Sequence, residues 1–319
     1  MELYPFKLSH VTKSPIWGGT RLQAEWGKQS QAETVGESWE LTVRENEKSV
    51  IQNGIHAGRT LESVIGEAGG NLIGPDFSEH RFPLLVKLID AGDALSVQVH
   101  PDNDYAARVE QDQGKTEMWY ILEADEGAEL ICGLTDGATN EDFIRSVEEG
   151  DPMRVLKKCP VKAGECYFIP AGMPHAIGKG ILIAEIQQNC DLTYRVYDYD
   201  RRGADGSLRE LHVEKACHVV RAFSEEEIEE LRYARRSDTL VNGEILADCA
   251  YFRVERLTVG ERTHLPESAL MRHFLCLSGE GSLLCGGERY PIAKGDSYYL
   301  PPIHGVEAEG NFTALVSGI

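Results

Sequence analysis

The chain has 319 residues, 42% hydrophobic and 26% charged, enough to bury a sizeable core in one large or two ordinary domains. Its net charge of −20 argues against nucleic acid as a partner, because neutralising phosphates takes clustered Lys and Arg. An anionic small substrate would need a local basic pocket inside this acidic field.

The start, MELYPFKLSH, lacks the basic segment and apolar block of a secretory signal. No run approaches the roughly 20 apolar residues that span a bilayer. Both observations point to a cytoplasmic protein without a membrane partner. Trp17, followed by Gly18 and Gly19, fits either the mouth of a site, where glycines let backbone approach closely, or core and turn. From Phe82 the run FPLLVKLIDAGDALSVQVHPD is rich in Leu, Ile and Val, and near its end Leu95, Val97 and Val99 alternate with Ser96, Gln98 and His100. That alternation predicts a strand with one polar face. TEMWYILEADEGAELICGL reads as two strands joined at Glu126-Gly127. Thr139 or Asn140 can cap a short helix over about 140–149, ended by Gly150. Strands resume at GECYFIP and ILIAEIQQ, and a second helical block spans about 211–236, acidic at its start and basic at its end. This block is expected to link a first domain, 1–236, to a second, 237–319, whose short strands and Gly-rich turns suit a sandwich or barrel. The eight cysteines stand singly without a CxxC pair, which suits reduced, packed thiols. YDYDRRGADG is acidic enough to suggest a calcium loop but lacks the final Glu.

Gln98 and His100 lie two apart on a strand, so both point to one face. Glu117 can sit on the neighbouring strand. His175 follows the turn IPAGMPH, where Pro170 ends a ladder and Gly172 permits a tight reversal. Together these four residues offer nitrogen and oxygen donors for a divalent metal, zinc first and iron or manganese as alternatives. Any one histidine alone is better read as packed or surface-exposed.

GECYFIPAGMPH resembles the second cupin motif, and SVQVHPD with GKTEMWY resembles the first as it appears in type I phosphomannose isomerases. SPIWGG, GESWEL and DLTYRVYDYDR are similar to segments of the same family in its short bacterial form, and the likeness covers nearly the whole chain. The resemblance implies a mainly β fold of two cupin-like jelly-roll β-barrel domains, with a short helical insertion and a helical linker. It also implies one Zn2+ per chain, held by Gln98, His100, Glu117 and His175, and an aldose–ketose isomerase acting on mannose 6-phosphate and fructose 6-phosphate through an enediol. Lys115 stands where the family's KPE motif has a catalytic lysine, with Thr116 in place of the proline. Arg195 matches the family's motif arginine, expected as oxyanion or phosphate partner, and Asp191 the acid four residues before it, expected to share proton transfer or ring opening. Lys87 is a further candidate phosphate contact. A bound metal would disfavour the Lys115 ammonium and bring it toward use as a base. In the C-terminal half, His304 arrives two residues early in GDSYYLPPIHGV and the turn glycine is missing, so His273 and His304 are not expected to bind metal. The expected partner is a small phosphorylated sugar, and the expected state a monomer or weak homodimer. Two other classes share the motif: a cupin oxygenase, which would favour iron and more histidine, and a sugar-binding cupin, which could dispense with Lys115 or the metal.

Overall fold

The computed structural model describes residues 3–69, 71–75, 82–203, 206–235, 243–265 and 267–319. It is mainly β, as expected, and its strands form three large antiparallel sheets. One six-stranded sheet runs Cys166–Ile169, Glu117–Ala124, Ile181–Gln188, Leu84–Ala91, Glu37–Leu41, Val11–Lys13 in spatial order. A five-stranded sheet runs Leu156–Pro160, Glu129–Leu134, His175–Ile177, Val97–Val99, Tyr194–Tyr197. The third sheet holds the C-terminal strands, among them Arg253–Val259, Arg272–Cys285, Ser297–Leu300 and Glu307–Gly318. One of its edge strands is Phe6–Lys7, which crosses from the N-terminal part to pair with Tyr298 and Tyr299.

The six-stranded sheet is the middle layer. Leu84–Ala91 and Ile181–Gln188 are buried at every position. One face contributes Ile89, Trp119, Ile121 and Ile183 to a core shared with Leu130 and Ile177 of the five-stranded sheet. The other contributes Val86, Leu88, Met118 and Ile186 to a core shared with Val254, Leu275, Tyr299 and Leu315 of the C-terminal sheet. A sheet covered on both sides has no solvent face to mark with alternating polar residues, so its central strands read as mostly apolar runs, with Lys87, Asp90 and Glu185 as isolated charged exceptions.

The two strands joined at Glu126-Gly127 form as expected, with Gly127 at φ 76°. They do not pair as a hairpin: the chain passes there from the six-stranded to the five-stranded sheet. The outer face of the five-stranded sheet, with Val97, Val99 and Ile131, is covered by Phe143 and Val147 of the helix Asn140–Glu148 and by Ala216 of the helix Val213–Val219. Thr139 caps the first of these in a capping box with Asp142, and Gly150 at φ 77° turns the chain away. The block expected over 211–236 is two helices, Val213–Val219 and Glu225–Arg232. Val220 leaves the helical region, and Ser224 with Glu227 forms an independent capping box that starts the second. The expected boundary at 236/237 lies outside the described residues.

Polar groups also stitch the N-terminal and C-terminal parts together. Buried Lys28 donates to Glu40 Oε2 and to the Gly295 carbonyl, each at 2.7 Å. Ser297 Oγ donates to the Glu40 carbonyl at 2.9 Å and lies 2.6 Å from His273 Nε2.

Candidate active site and metal centre

The strand Val97–Val99 sends its valines to the outer core and its polar side chains inward. Gln98 is in register with His175 on one side and with Arg195 on the other, so the three project from one face. Glu117 differs from its expected place: it begins a strand of the six-stranded sheet and reaches His100 and His175 from across the gap between sheets. The strand beside Gln98 carries His175 instead. Lys115 lies just ahead of the Glu117 strand, and its side chain enters the same gap.

The interruption before His175 has a structural cause. The ladder ends at Ile169, and Gly172 sits at φ 91°, where a Cβ would meet the Val219 carbonyl at 2.8 Å. The Gly172 amide donates to the His100 carbonyl at 2.8 Å, and the Ala171 amide to Thr116 Oγ1 at 3.2 Å. One turn thereby ties together the segments carrying His100, Glu117 and His175. Thr116, the departure from KPE, supplies an acceptor that proline lacks.

His100, Glu117 and His175 are each 1% exposed, and they are the group suited to a metal among the described residues. Their donors converge: Nε2 to Nε2 is 3.1 Å, His175 Nε2 to Glu117 Oε1 is 3.5 Å, and His100 Nε2 to Glu117 Oε2 is 3.6 Å. Four donors around a cation at roughly 2.05 Å would stand about 3.3 Å apart, so the spacing fits a transition metal. His175 Nδ1 lies 2.8 Å from the Met173 carbonyl, which sets its proton on Nδ1 and leaves Nε2 free to ligate. Burial pushes His175 down to about 4. Burial, helped by the Lys115 and His175 charges, pushes His100 well below the ordinary imidazole range. Both rings are therefore neutral ligands at pH 7. Lys115 Nζ lies 3.1 Å from His100 Nε2 and 3.1 Å from Glu117 Oε2, the latter at an angle that makes an ion pair but leaves Oε2 without a hydrogen-bond donor. Burial pulls Lys115 down, but the Glu117 and Glu185 carboxylates outweigh it, so the protein's own charges hold the ammonium above its ordinary range.

Above this floor is a cavity of about 150 Å3 whose walls include Trp17, Lys87, Gln98, Lys115, Asp191 and Arg195. Trp17 answers to both readings, since it lines the cavity and packs in the core beneath it. Arg195 and Asp191 do not pair with each other. Arg195 donates to Ser96 Oγ at 3.2 Å and to the Glu210 carbonyl at 2.7 Å, whereas Asp191 lies 3.6 Å from Lys87 Nζ. Lys87 is also 3.4 Å from Glu37 and 3.6 Å from Glu185, carboxylates that outweigh burial and hold it charged. The sequence reading missed Glu185 and Arg209, which also line the cavity. Glu185 accepts from Trp119 Nε1 at 3.1 Å, and burial raises its pKa, helped by Glu117. A lone acid in the run ILIAEIQQ was a signal for it; Arg209 lies outside any periodic segment and gave none. His304 is exposed beside Glu267, and His273 is buried against Ser297, so the two form no metal pair.

Such a floor beneath a polar cavity between two antiparallel sheets marks a metal-binding enzyme of the cupin class. A family model described as the catalytic domain of type I phosphomannose isomerase matches residues 5–144, and one described as the cupin domain of mannose-6-phosphate isomerase matches residues 243–318. Mannose-6-phosphate isomerase ManA of Bacillus subtilis is 39% identical over 302 residues, 94% of each chain, and the mannose-6-phosphate isomerase of Streptococcus mutans is 38% identical over 93% of this chain and 92% of its own. A crystal structure of the Bacillus subtilis mannose 6-phosphate isomerase superposes with a TM-score of 0.87 at 32% identity, covering 99% of both chains. The chain belongs to the type I phosphomannose isomerase family.

Proposed function

We propose that the chain is a zinc-dependent aldose–ketose isomerase that interconverts D-mannose 6-phosphate and D-fructose 6-phosphate through an enediol. The observation that carries this reading is the buried His100, Glu117 and His175 set, with donors 3.1–3.6 Å apart, lying beside Lys115 under a cavity that holds arginines in a protein of net charge −20. The names of the relatives support the substrate pair. His100, Glu117 and His175 would hold the metal, with Gln98, in register with His175, as the fourth ligand. Held there, zinc would supply Lewis-acid polarisation of the sugar's carbonyl and hydroxyl oxygens, and its charge beside Glu117 would offset the carboxylate that keeps Lys115 protonated.

The remaining work belongs to the chain. Lys115 Nζ takes the proton from C2 of the open aldose and returns it to C1, and the hydroxyl proton moves from O2 to O1. Asp191, on the cavity wall, shares these transfers or opens the ring. Arg195, anchored at Ser96 and Glu210, faces the anionic end of the substrate, and Lys87 and Trp17 contact it from the same wall. Free cysteines throughout support a reducing, cytoplasmic setting. The test is a coupled assay of mannose 6-phosphate conversion to fructose 6-phosphate with chelator and after readdition of zinc, iron or manganese. Turnover that survives complete metal removal refutes the proposal.

A further inference from the structure

The residues that hold a phosphate are not settled by Arg195 alone. Arg209 lines the same cavity, and its Nε donates to Asp198 Oδ2 at 2.6 Å while Nη2 donates to Oδ1. This fork fixes the plane of the guanidinium and leaves Nη1 without a protein partner among the described residues. Arg195 is built alike: Nε goes to Ser96, Nη1 goes to the carbonyl of Glu210, the residue after Arg209, and Nη2 is left over among the described residues. Asp198 is 5% exposed and also accepts from Arg201. The chain leaves it through two non-glycine residues in the left-handed region, Tyr199 at φ 56° and Asp200 at φ 53°, a shape that costs free energy and is kept where it positions something. Burial and the Arg209 cation push Arg195 below the ordinary guanidinium range, so the two cations repel each other where they stand. In an acidic protein, a pair of fixed, mutually repelling guanidiniums on a cavity wall is explained by an anion between them.

We propose that Asp198 is a positioning residue that holds Arg209 beside Arg195, so that the two arginines form a two-sided clamp for the phosphate of the substrate. This rests on the sugar-phosphate reading above. The Nη groups left over on each arginine supply donors on two sides of a tetrahedral dianion, and Asp198, shared with Arg201, neutralises only part of the local charge.

The test compares wild type with Asp198→Asn, Arg209→Met and Arg209→Lys, each with its zinc loaded and measured. Wild type must first show saturable turnover of mannose 6-phosphate and competitive inhibition by inorganic phosphate; if it shows neither, the sugar-phosphate reading itself falls. Given that turnover, Arg209→Met is expected to raise KM and the inhibition constant for phosphate together by roughly ten- to a hundredfold, the scale of one charge-assisted contact, with kcat within about threefold. Arg209→Lys is expected to recover part of the loss, and Asp198→Asn to reproduce the KM effect without contacting substrate. Should Asp198→Asn not fold, Arg209→Met decides, because Asp198 keeps Arg201 as its partner there. An unchanged KM and phosphate inhibition in Arg209→Met, or a loss confined to kcat, overturns the clamp.

Discussion

The junction between the two halves should be acid-labile, and His273 is the group responsible. It is fully buried, its Nε2 lies 2.6 Å from Ser297 Oγ, and burial, then the Lys28 cation, push its pKa from 6.5 down to about 3. Well above pH 6.5 the ring is neutral in both folded and unfolded chains and its titration adds nothing to stability. Between pH 6.5 and 3 the unfolded chain binds a proton that the folded one refuses, so stability falls as pH falls. At pH 4.5, two units below the unfolded value, the loss is about 2.7 kcal/mol, at about 1.36 kcal/mol per unit. His273→Gln removes the titrating group and keeps a side chain able to reach Ser297. Urea unfolding followed by circular dichroism at pH 7.0 and 4.5, with chelator in every sample, gives a pH-dependent loss for each protein. Because the unfolded ring is already partly protonated at pH 7.0, the loss in wild type should exceed that in the variant by about 2.5 kcal/mol. Equal losses in the two proteins would show that the ring is protonated inside the fold, and the reasoning from burial would fail.

The metal centre makes a sharper contrast: His175→Ala should lose metal and activity together, whereas exposed His304, beside Glu267, should be replaceable by Ala with neither lost; elemental analysis finding two equivalents per chain, or one that survives His175→Ala, would contradict this. Lys115→Met should keep metal and fold but lower kcat by about 100-fold or more, and near-normal turnover would remove Lys115 from proton transfer. Lys28→Met should destabilise the protein by roughly 3–5 kcal/mol in the same urea assay at pH 7, because it strands Glu40, 1% exposed, with a hydroxyl as its remaining side-chain partner. A change under about 1 kcal/mol would mean that water or a rearranged side chain replaces Lys28.

The sequence made residue types and faces legible, but not the pairing of layers. Alternation of Val97 and Val99 with Ser96, Gln98 and His100 showed which side chains face the cavity or the buried group beneath it, because a strand between a core and a cavity must alternate. The same rule could not show that Glu117 comes from the opposite sheet. A turn such as Glu126-Gly127 looks the same locally whether the chain folds back beside its own strand or crosses to another layer. Only the burial of the middle sheet on both faces decides that, and this burial is a property of the whole chain. The family motifs carried Gln98, His100, Glu117 and His175 as a set, and the structure gives the reason for the turn that joins three of them.

Arg209 was illegible for a different reason. Its place is fixed by a fork to Asp198, eleven residues earlier, and the described residues between them hold only an isolated bridge from Arg202 to Leu208, so no period of two or 3.6 marks it. Glu185 shows the opposite situation: an acid inside a strand buried at every position must have partners, and Trp119, Lys87 and the cavity supply them. A charged residue in an unbroken apolar run is thus a better guide to the site than a charge in a loop, because only the first carries a desolvation cost that the fold must answer.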